Sequence, residues 1–400
     1  MLIREKYLSK IRPFYDVDLI KVIMGIRRCG KSVLLLQIID ELKNRPINES
    51  HIIYINFEYK DYSFIRNDLD LHNYIKERIV DEDKYYLFFD EIQTIKDWEK
   101  AINSFKASLN VSIFITGSNS DLLSGELATH LTGRYVSFKV YPFTFREACE
   151  YKNLESKTEI EEFFNDYIMW GGLPQRFILT DQYQTMTYLN DIYDSIILKD
   201  IVDRFKIKDL DLFNRIVEYI VTTPAQTFSP KNLSNYFLKE DNRKVSRETI
   251  YNYLEYMTKA MLIDKAERYD LRGKRILTGR YKYYLTDLGL GQINNIGKRP
   301  QLGAYLENIV YNELISRGYS VNVGTFANKE IDFIAIKDRS ITYIQVAYIL
   351  YDDSIIEREF GVYRNIDDNY PKYVLSMDHF NFSQDGIIHK NIIDWLLEDI

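Results

Sequence analysis

The chain has 400 residues, with 52 lysine and arginine side chains against 59 aspartates and glutamates, a net charge of −7. That length exceeds one ordinary core and predicts two or three domains, and the acidic balance excludes a global pull toward nucleic acid, leaving only a local patch to make such a contact. Two cysteines, Cys29 and Cys149, exclude a disulfide framework, and with no signal peptide or bilayer-length apolar run the expectation is a cytoplasmic protein.

Residues 4–15 read as a short amphipathic helix with Tyr7, Leu8, Ile11 and Phe14 on one side. An apolar strand at 19–24 then runs into Gly25-Ile26-Arg27-Arg28-Cys29-Gly30-Lys31-Ser32-Val33 and a helix over 31–43. This stretch fits G-x-x-x-x-G-K-[ST], the phosphate-binding loop. Gly25 and Gly30 are expected to take backbone conformations that a Cβ would block. The loop N–H groups then converge on phosphate at the positive end of the helix. Lys31 is placed to reach the β- and γ-phosphates, and Ser32 to offer its hydroxyl to Mg²⁺. Arg27 and Arg28 are open between nucleotide and protein contacts. Cys29 lies among cations that would favour its thiolate.

Further apolar runs at 51–57, 84–89 and 110–117 alternate with helical stretches at 69–80 and 97–108. That alternation predicts a parallel sheet covered on both faces, whose ligands sit at the carboxyl ends of the strands. Asp90 and Glu91 close one strand: Asp90 is the expected partner of Mg²⁺, and Glu91 the residue that orients or deprotonates an attacking water. Ser118 or Asn119 ends the next strand, within reach of the γ-phosphate or the water, although a turn-forming asparagine is an equal reading. Arg134 follows, a candidate arginine finger in cis or from a neighbouring subunit of a homo-oligomer.

Gly-Ile-Arg-Arg-Cys-Gly-Lys-Ser, then Phe-Asp-Glu-Ile-Gln, Thr-Gly-Ser-Asn, Thr-Gly-Arg and Tyr-Pro-Phe-Thr-Phe-Arg-Glu together resemble the prokaryotic AAA-like ATPases that carry a nuclease-like C-terminal domain of unknown function. The resemblance continues through Trp170-Gly171-Gly172-Leu173-Pro174, Gly303 to Asn308 and Glu330-Ile331-Asp332-Phe333, so it covers nearly the whole chain. It implies an ATPase module, a winged helix and a remnant of a PD-(D/E)xK nuclease fold. The choice of ATP over GTP rests on this resemblance alone.

Residues 151–208 are mostly helical by pattern, interrupted at Trp170–Pro174, where two glycines and a proline force a turn. From 209 to 290 three helices are expected. The second starts at Ser229-Pro230 and the third is capped by Ser246, and strands follow at 260–266 and 281–285. That order is a winged helix-turn-helix. Between 243 and 282, eleven basic side chains face five acidic ones, a local reversal of sign suited to phosphate contact. Arg243, Lys244, Arg247, Arg272, Lys274 and Arg275 are the candidates for duplex DNA. A protein-interaction role for the same module stands beside that reading.

From 300 to 400, a helix containing Glu307, a strand, Glu330-Ile331-Asp332, and Ile341 to Ala347 follow the PD-(D/E)xK order, in which an Asp and a Glu hold Mg²⁺ and a Lys assists water. Here Gln345 stands in the second acid's position and Ala347 in the lysine's, so a working nuclease is not expected. The fold class is therefore α/β: a P-loop parallel-sheet ATPase domain (1–150), a helical connector (151–208), an α-rich winged-helix region (209–290) and a small α+β nuclease-like domain (300–400). The leading functional reading is a Mg²⁺-dependent, ATP-hydrolysing switch acting on DNA or a protein partner. Its alternatives are an ATP-binding scaffold with little turnover and an ATP-gated nuclease, against which Gln345 and Ala347 argue.

Overall fold

The computed structural model describes residues 2–118, 133–273, 275–293, 301–326 and 329–398. Asn119 and Lys274, both singled out above, lie outside the described residues. The chain divides into two compact units: Met1–Tyr141 with Lys259–Met261, and Pro142–Thr258 with Leu262–Ile400.

The first unit is built on five strands: β1 (Ile20–Met24), β2 (Ile52–Asn56), β3 (Tyr85–Asp90), β4 (Val111–Gly117) and β5 (Tyr135–Lys139). They lie in the order β2-β3-β4-β1-β5, and every pairing is parallel. Parallel neighbours need a crossover between them. Helices α1 (Glu5–Ile11), α2 (Lys31–Lys43), α3 (Asp68–Lys76) and α4 (Trp98–Ser108) are described in this unit. Strands covered on both faces are buried along their length, which is why β1 and β3 read as continuous apolar runs. Leu34, Leu35 and Ile38 of α2 are fully buried, as are Ile102 and Phe105 of α4. Within the sheet, Phe88 stacks on Phe114 at 4.5 Å between centroids.

Within β1 the apolar pattern is broken by a lysine. Lys21 in β1 is fully buried, and its Nζ donates to Ser112 Oγ at 2.7 Å and to the Val17 carbonyl at 3.2 Å. Burial pushes its ammonium down to about 7, against about 10.4 for a free lysine. Between those values the unfolded chain binds the extra proton, so stability rises with pH across that window. We expect wild type to gain on Lys21→Met by up to about 1.4 kcal/mol per pH unit between pH 7 and 9. Urea unfolding of both proteins checks this; a pH-independent difference would sink the assignment.

In the second unit, α5 (Phe145–Lys152), α6 (Lys157–Trp170) and α7 (Gln182–Ser195) precede α8 (Leu210–Thr222), α9 (Pro230–Glu240) and α10 (Arg247–Lys259). The helix-poor joint at Trp170–Pro174 has a specific cause. Gly171 ends α6 at φ 73° and ψ −162°, and the Gly172 N–H donates to Asp287 Oδ2 at 2.7 Å. The Gly172 carbonyl in turn accepts from the Phe143 N–H at 2.7 Å.

One mixed sheet of eight strands runs through this unit in the order β13-β12-β11-β10-β9-β7-β8-β6. Its members are β6 (Thr227–Phe228), β7 (Ile263–Asp270), β8 (Arg275–Leu285), β9 (Ser320–Phe326), β10 (Lys329–Lys337), β11 (Ser340–Val346), β12 (Lys372–Ser376) and β13 (Ile388–Asn391). The β7–β8 hairpin is longer than the two short strands expected. Its first strand pairs in parallel with β9 through Glu267–Asp270 and Asn322–Thr325. The segments read from the sequence as 209–290 and 300–400 therefore share a hydrogen-bonded sheet. Helices α11 (Leu288–Gln292), α12 (Leu302–Ser316), α13 (Asp353–Phe360) and α14 (Ile392–Leu397) are also described in this unit, with a π-helical stretch at Ile196–Asp203.

Candidate functional site

The carboxyl edge of the first sheet gathers the loop and the two carboxylates. Register places Met24 beside Gly117 and Asn56 beside Asp90, so β1 to β4 all end at one edge. The loop leaves β1 there and α2 begins at Lys31, with Gly30 at φ 103°. Gly30 thus needs its conformational freedom. Gly25 is required for a different reason, because a Cβ there would sit 2.2 Å from the Val140 carbonyl oxygen and 2.5 Å from Cys29 Sγ. Ile26 and Cys29 are fully buried, Arg28 is exposed at φ 67°, and Val33 is 37% exposed. Arg27 pairs with Glu58 at 3.5 Å.

Cys29 corrects an expectation. Burial raises its thiol, outweighing the opposing fields of Lys31 and Arg4, so the thiolate is disfavoured. Arg4, from before α1, is itself buried and donates to the carbonyls of Cys29 and Tyr141, bracing the loop from behind.

Lys31 Nζ donates to the carbonyls of Gly25 and Ile26 at 3.0 and 3.3 Å and lies 3.5 Å from Glu91 Oε1. Asp90 is fully buried and accepts from Tyr54 Oη and Asn56 Nδ2, each at 3.0 Å, and from Thr116 Oγ1. The same Thr116 hydroxyl accepts from the Glu91 N–H at 2.9 Å. Glu91 takes a left-handed backbone, φ 56°, and its carboxylate also accepts from Gln93. Tyr54, Asn56 and Thr116, which hold the Asp90 carboxylate and the Glu91 N–H, are not among the residues expected from sequence. Their signal was present, since each lies at or near the carboxyl end of a neighbouring strand.

Arg134 does not join this group. It immediately precedes β5, and its carbonyl accepts from the N–H of Ile20 at the start of β1. The loop leaves β1 after Met24, about four residue steps or roughly 13 Å away along the strand. A finger role in cis is therefore corrected: parallel pairing puts Arg134 at the opposite edge of the sheet. For Mg²⁺, the hydroxyl of Ser32 and the carboxylate of Asp90 are hard oxygen donors of the right kind.

The basic surplus of the second unit is smaller than its sequence suggests. Arg243 is ion-paired with Asp209 and Asp211, which offsets its charge. Arg268 pairs with Glu330 at 3.2 Å, and Lys282 Nζ lies 2.9 Å from Glu307 and 2.7 Å from Glu330. All these acids lie outside residues 243–282. Lys244, Arg247 and Arg275 are exposed, as is Arg272, whose guanidinium lies over the Phe326 ring. Burial lowers the Lys282 ammonium, but Glu307, Asp332 and Glu330 together raise it further and keep it charged.

Residues 18–149 match the AAA domain family, and residues 161–298 match a domain of unknown function, DUF8612. An uncharacterized protein of Haemophilus influenzae is 39% identical over 402 residues, covering 100% of this chain and 99% of the relative. An uncharacterized protein of Methanocaldococcus jannaschii is 35% identical over 358 residues, covering 86% and 78% respectively. Among solved structures, the Walker-type ATPase PABY2304 of Pyrococcus abyssi is similar at a TM-score of 0.49 and 17% identity, covering 74% of this chain and 96% of that one. Among the described residues no helix is long and apolar enough to cross a membrane. The chain belongs to the family of these uncharacterized proteins of Haemophilus influenzae and Methanocaldococcus jannaschii, and it carries an AAA-type P-loop domain in its first unit.

Proposed function

We propose that the protein hydrolyses ATP and uses the nucleotide as a switch on duplex DNA held by its second unit. The observation that carries the reading is the meeting of Lys31 and Glu91 at 3.5 Å on the carboxyl edge of the sheet, with Asp90 pinned beside them. The loop N–H groups and Lys31 bind the phosphates. Glu91 orients the attacking water and takes its proton, while Thr116 fixes the backbone from which Glu91 projects. Mg²⁺, held by Ser32 and Asp90, would neutralise the phosphate charge.

In the second unit, α8 to α10 with the β7–β8 hairpin support a winged-helix reading, and α12 with β9 to β11 supports a nuclease-like fold that has lost its catalysis. Lys244, Arg247 and Arg275 are the residues we assign to DNA phosphates, with Arg272 beside them; Lys274 adjoins them in sequence. The internal use of Arg243, Arg268 and Lys282 favours a protein partner as the second reading. A regulatory scaffold with little turnover follows if Glu91 proves idle.

Steady-state turnover with and without duplex DNA, across salt concentrations, tests the switch. DNA is expected to stimulate wild type. The combined variant Lys244→Ala, Arg247→Ala, Arg275→Ala should need more DNA and show a shallower salt dependence, by about 0.9 in slope for each phosphate no longer neutralised. Turnover indifferent to DNA would move the assignment to a protein partner.

A further inference from the structure

The nuclease resemblance implies a divalent cation at Glu307 and Asp332, and the residues of this chain do not fit one. The place between the carboxylates is taken by the ammonium of Lys282, from β8. Its Nζ is 2.9 Å from Glu307 Oε1, 2.7 Å from Glu330 Oε1 and 3.8 Å from Asp332 Oδ1. Other groups also occupy these carboxylates. Glu307 Oε1 accepts from Tyr284 Oη at 2.7 Å, and Asp332 Oδ2 accepts from the Val346 N–H at 2.9 Å.

Gln345 faces the same cluster but offers it no oxygen. Its Oε1 accepts from the Asp332 N–H at 3.2 Å, and its Nε2 donates to Glu359 Oε2 at 2.8 Å. Ala347, in the lysine's position, is buried among apolar neighbours including Ile331, Tyr363 and Val374. A divalent ion would need oxygens at about 2.0–2.6 Å, and an ammonium this close to the same carboxylates repels it.

We propose that Lys282 is the resident cation of this site, an ammonium that stands in for a divalent metal and makes the second unit's fold metal-independent. The lock joins three elements: β8 supplies the cation, α12 supplies Glu307, and β10 supplies Glu330 and Asp332. Arg268 on β7 adds a second positive charge against Glu330 at 3.2 Å. Buried carboxylates without a counter-charge are strongly destabilising, so the sheet needs this cation or a replacement. The inference rests on these distances and is independent of ATP turnover.

The test uses the full chain without nucleotide. Thermal unfolding of wild type should have the same midpoint in EDTA and in Mn²⁺. Lys282→Met should unfold roughly 6 °C lower or more in EDTA and recover part of that loss in Mn²⁺. Adding Asp332→Asn should abolish the recovery. A Lys282→Met protein as stable as wild type, or one indifferent to Mn²⁺, overturns the proposal. Should that variant fail to fold, Mn²⁺ binding by electron paramagnetic resonance decides on wild type and Asp332→Asn. Equal binding supports the lock, and binding present in wild type but lost in Asp332→Asn overturns it.

Discussion

Replacing Glu91 by glutamine is expected to slow ATP turnover by roughly 10²–10⁴-fold while leaving nucleotide affinity within a few-fold of wild type. The amide has nearly the same shape and can still accept from Gln93, and Lys31 keeps its bonds to the Gly25 and Ile26 carbonyls. What it lacks is the capacity to take a proton from water. The left-handed backbone at Glu91 is retained by both residues, and its N–H remains on Thr116. The effect therefore belongs to kcat and not to binding. Single-turnover hydrolysis beside equilibrium binding of a fluorescent nucleotide separates the two. An unchanged kcat would assign proton transfer to another group.

The second large effect is on stability. Gly171→Ala is expected to cost about 3–5 kcal/mol, adding backbone strain to overpacking. At φ 73° and ψ −162° the residue occupies a region reserved almost entirely for glycine. The added Cβ would fall 1.9 Å from Asp287 Oδ1 and 2.5 Å from its Cγ. That carboxylate cannot step aside freely, because it accepts from the N–H groups of Gly172 and Gly289 at 2.7 and 2.9 Å. Burial already pushes Asp287 up to about 6, and losing a backbone donor would raise it further. Urea unfolding gives the cost directly; a loss under about 1 kcal/mol, within the range of routine substitutions, would mean that the joint relaxes.

What the sequence displays depends on how far apart the cooperating residues lie. Gly25 to Ser32 are consecutive, so the strand–turn–helix around them is legible from spacing alone. Asp90 and Glu91 are also legible, because a carboxylate pair closing an apolar run is a local signal. Tyr54, Asn56 and Thr116 are not, since they reach Asp90 only through the register of β2, β3 and β4. The misplacement of Arg134 has the same origin: sequence order does not reveal that β5 starts beside the start of β1. In the second unit, the ammonium that meets Glu307, Glu330 and Asp332 comes from Lys282, which only the pairing of distant strands brings to them. Strand β13 is not legible either, since its four residues are too few for a period to register.

The net charge of residues 243–282 misleads for a related reason. Those residues are not one surface, because folding brings Asp209, Asp211, Glu307 and Glu330 against three of the cations. A basic window becomes a nucleic-acid face only with the cations that its internal ion pairs leave over.

Steady-state ATP turnover of wild type and Lys31→Ala, each with Mg²⁺ and with EDTA, measures directly whether this loop hydrolyses nucleotide. Turnover in wild type should need Mg²⁺ and fall at least roughly 10²-fold in Lys31→Ala. Equal turnover in the two proteins, or none in wild type, would contradict hydrolysis at this loop.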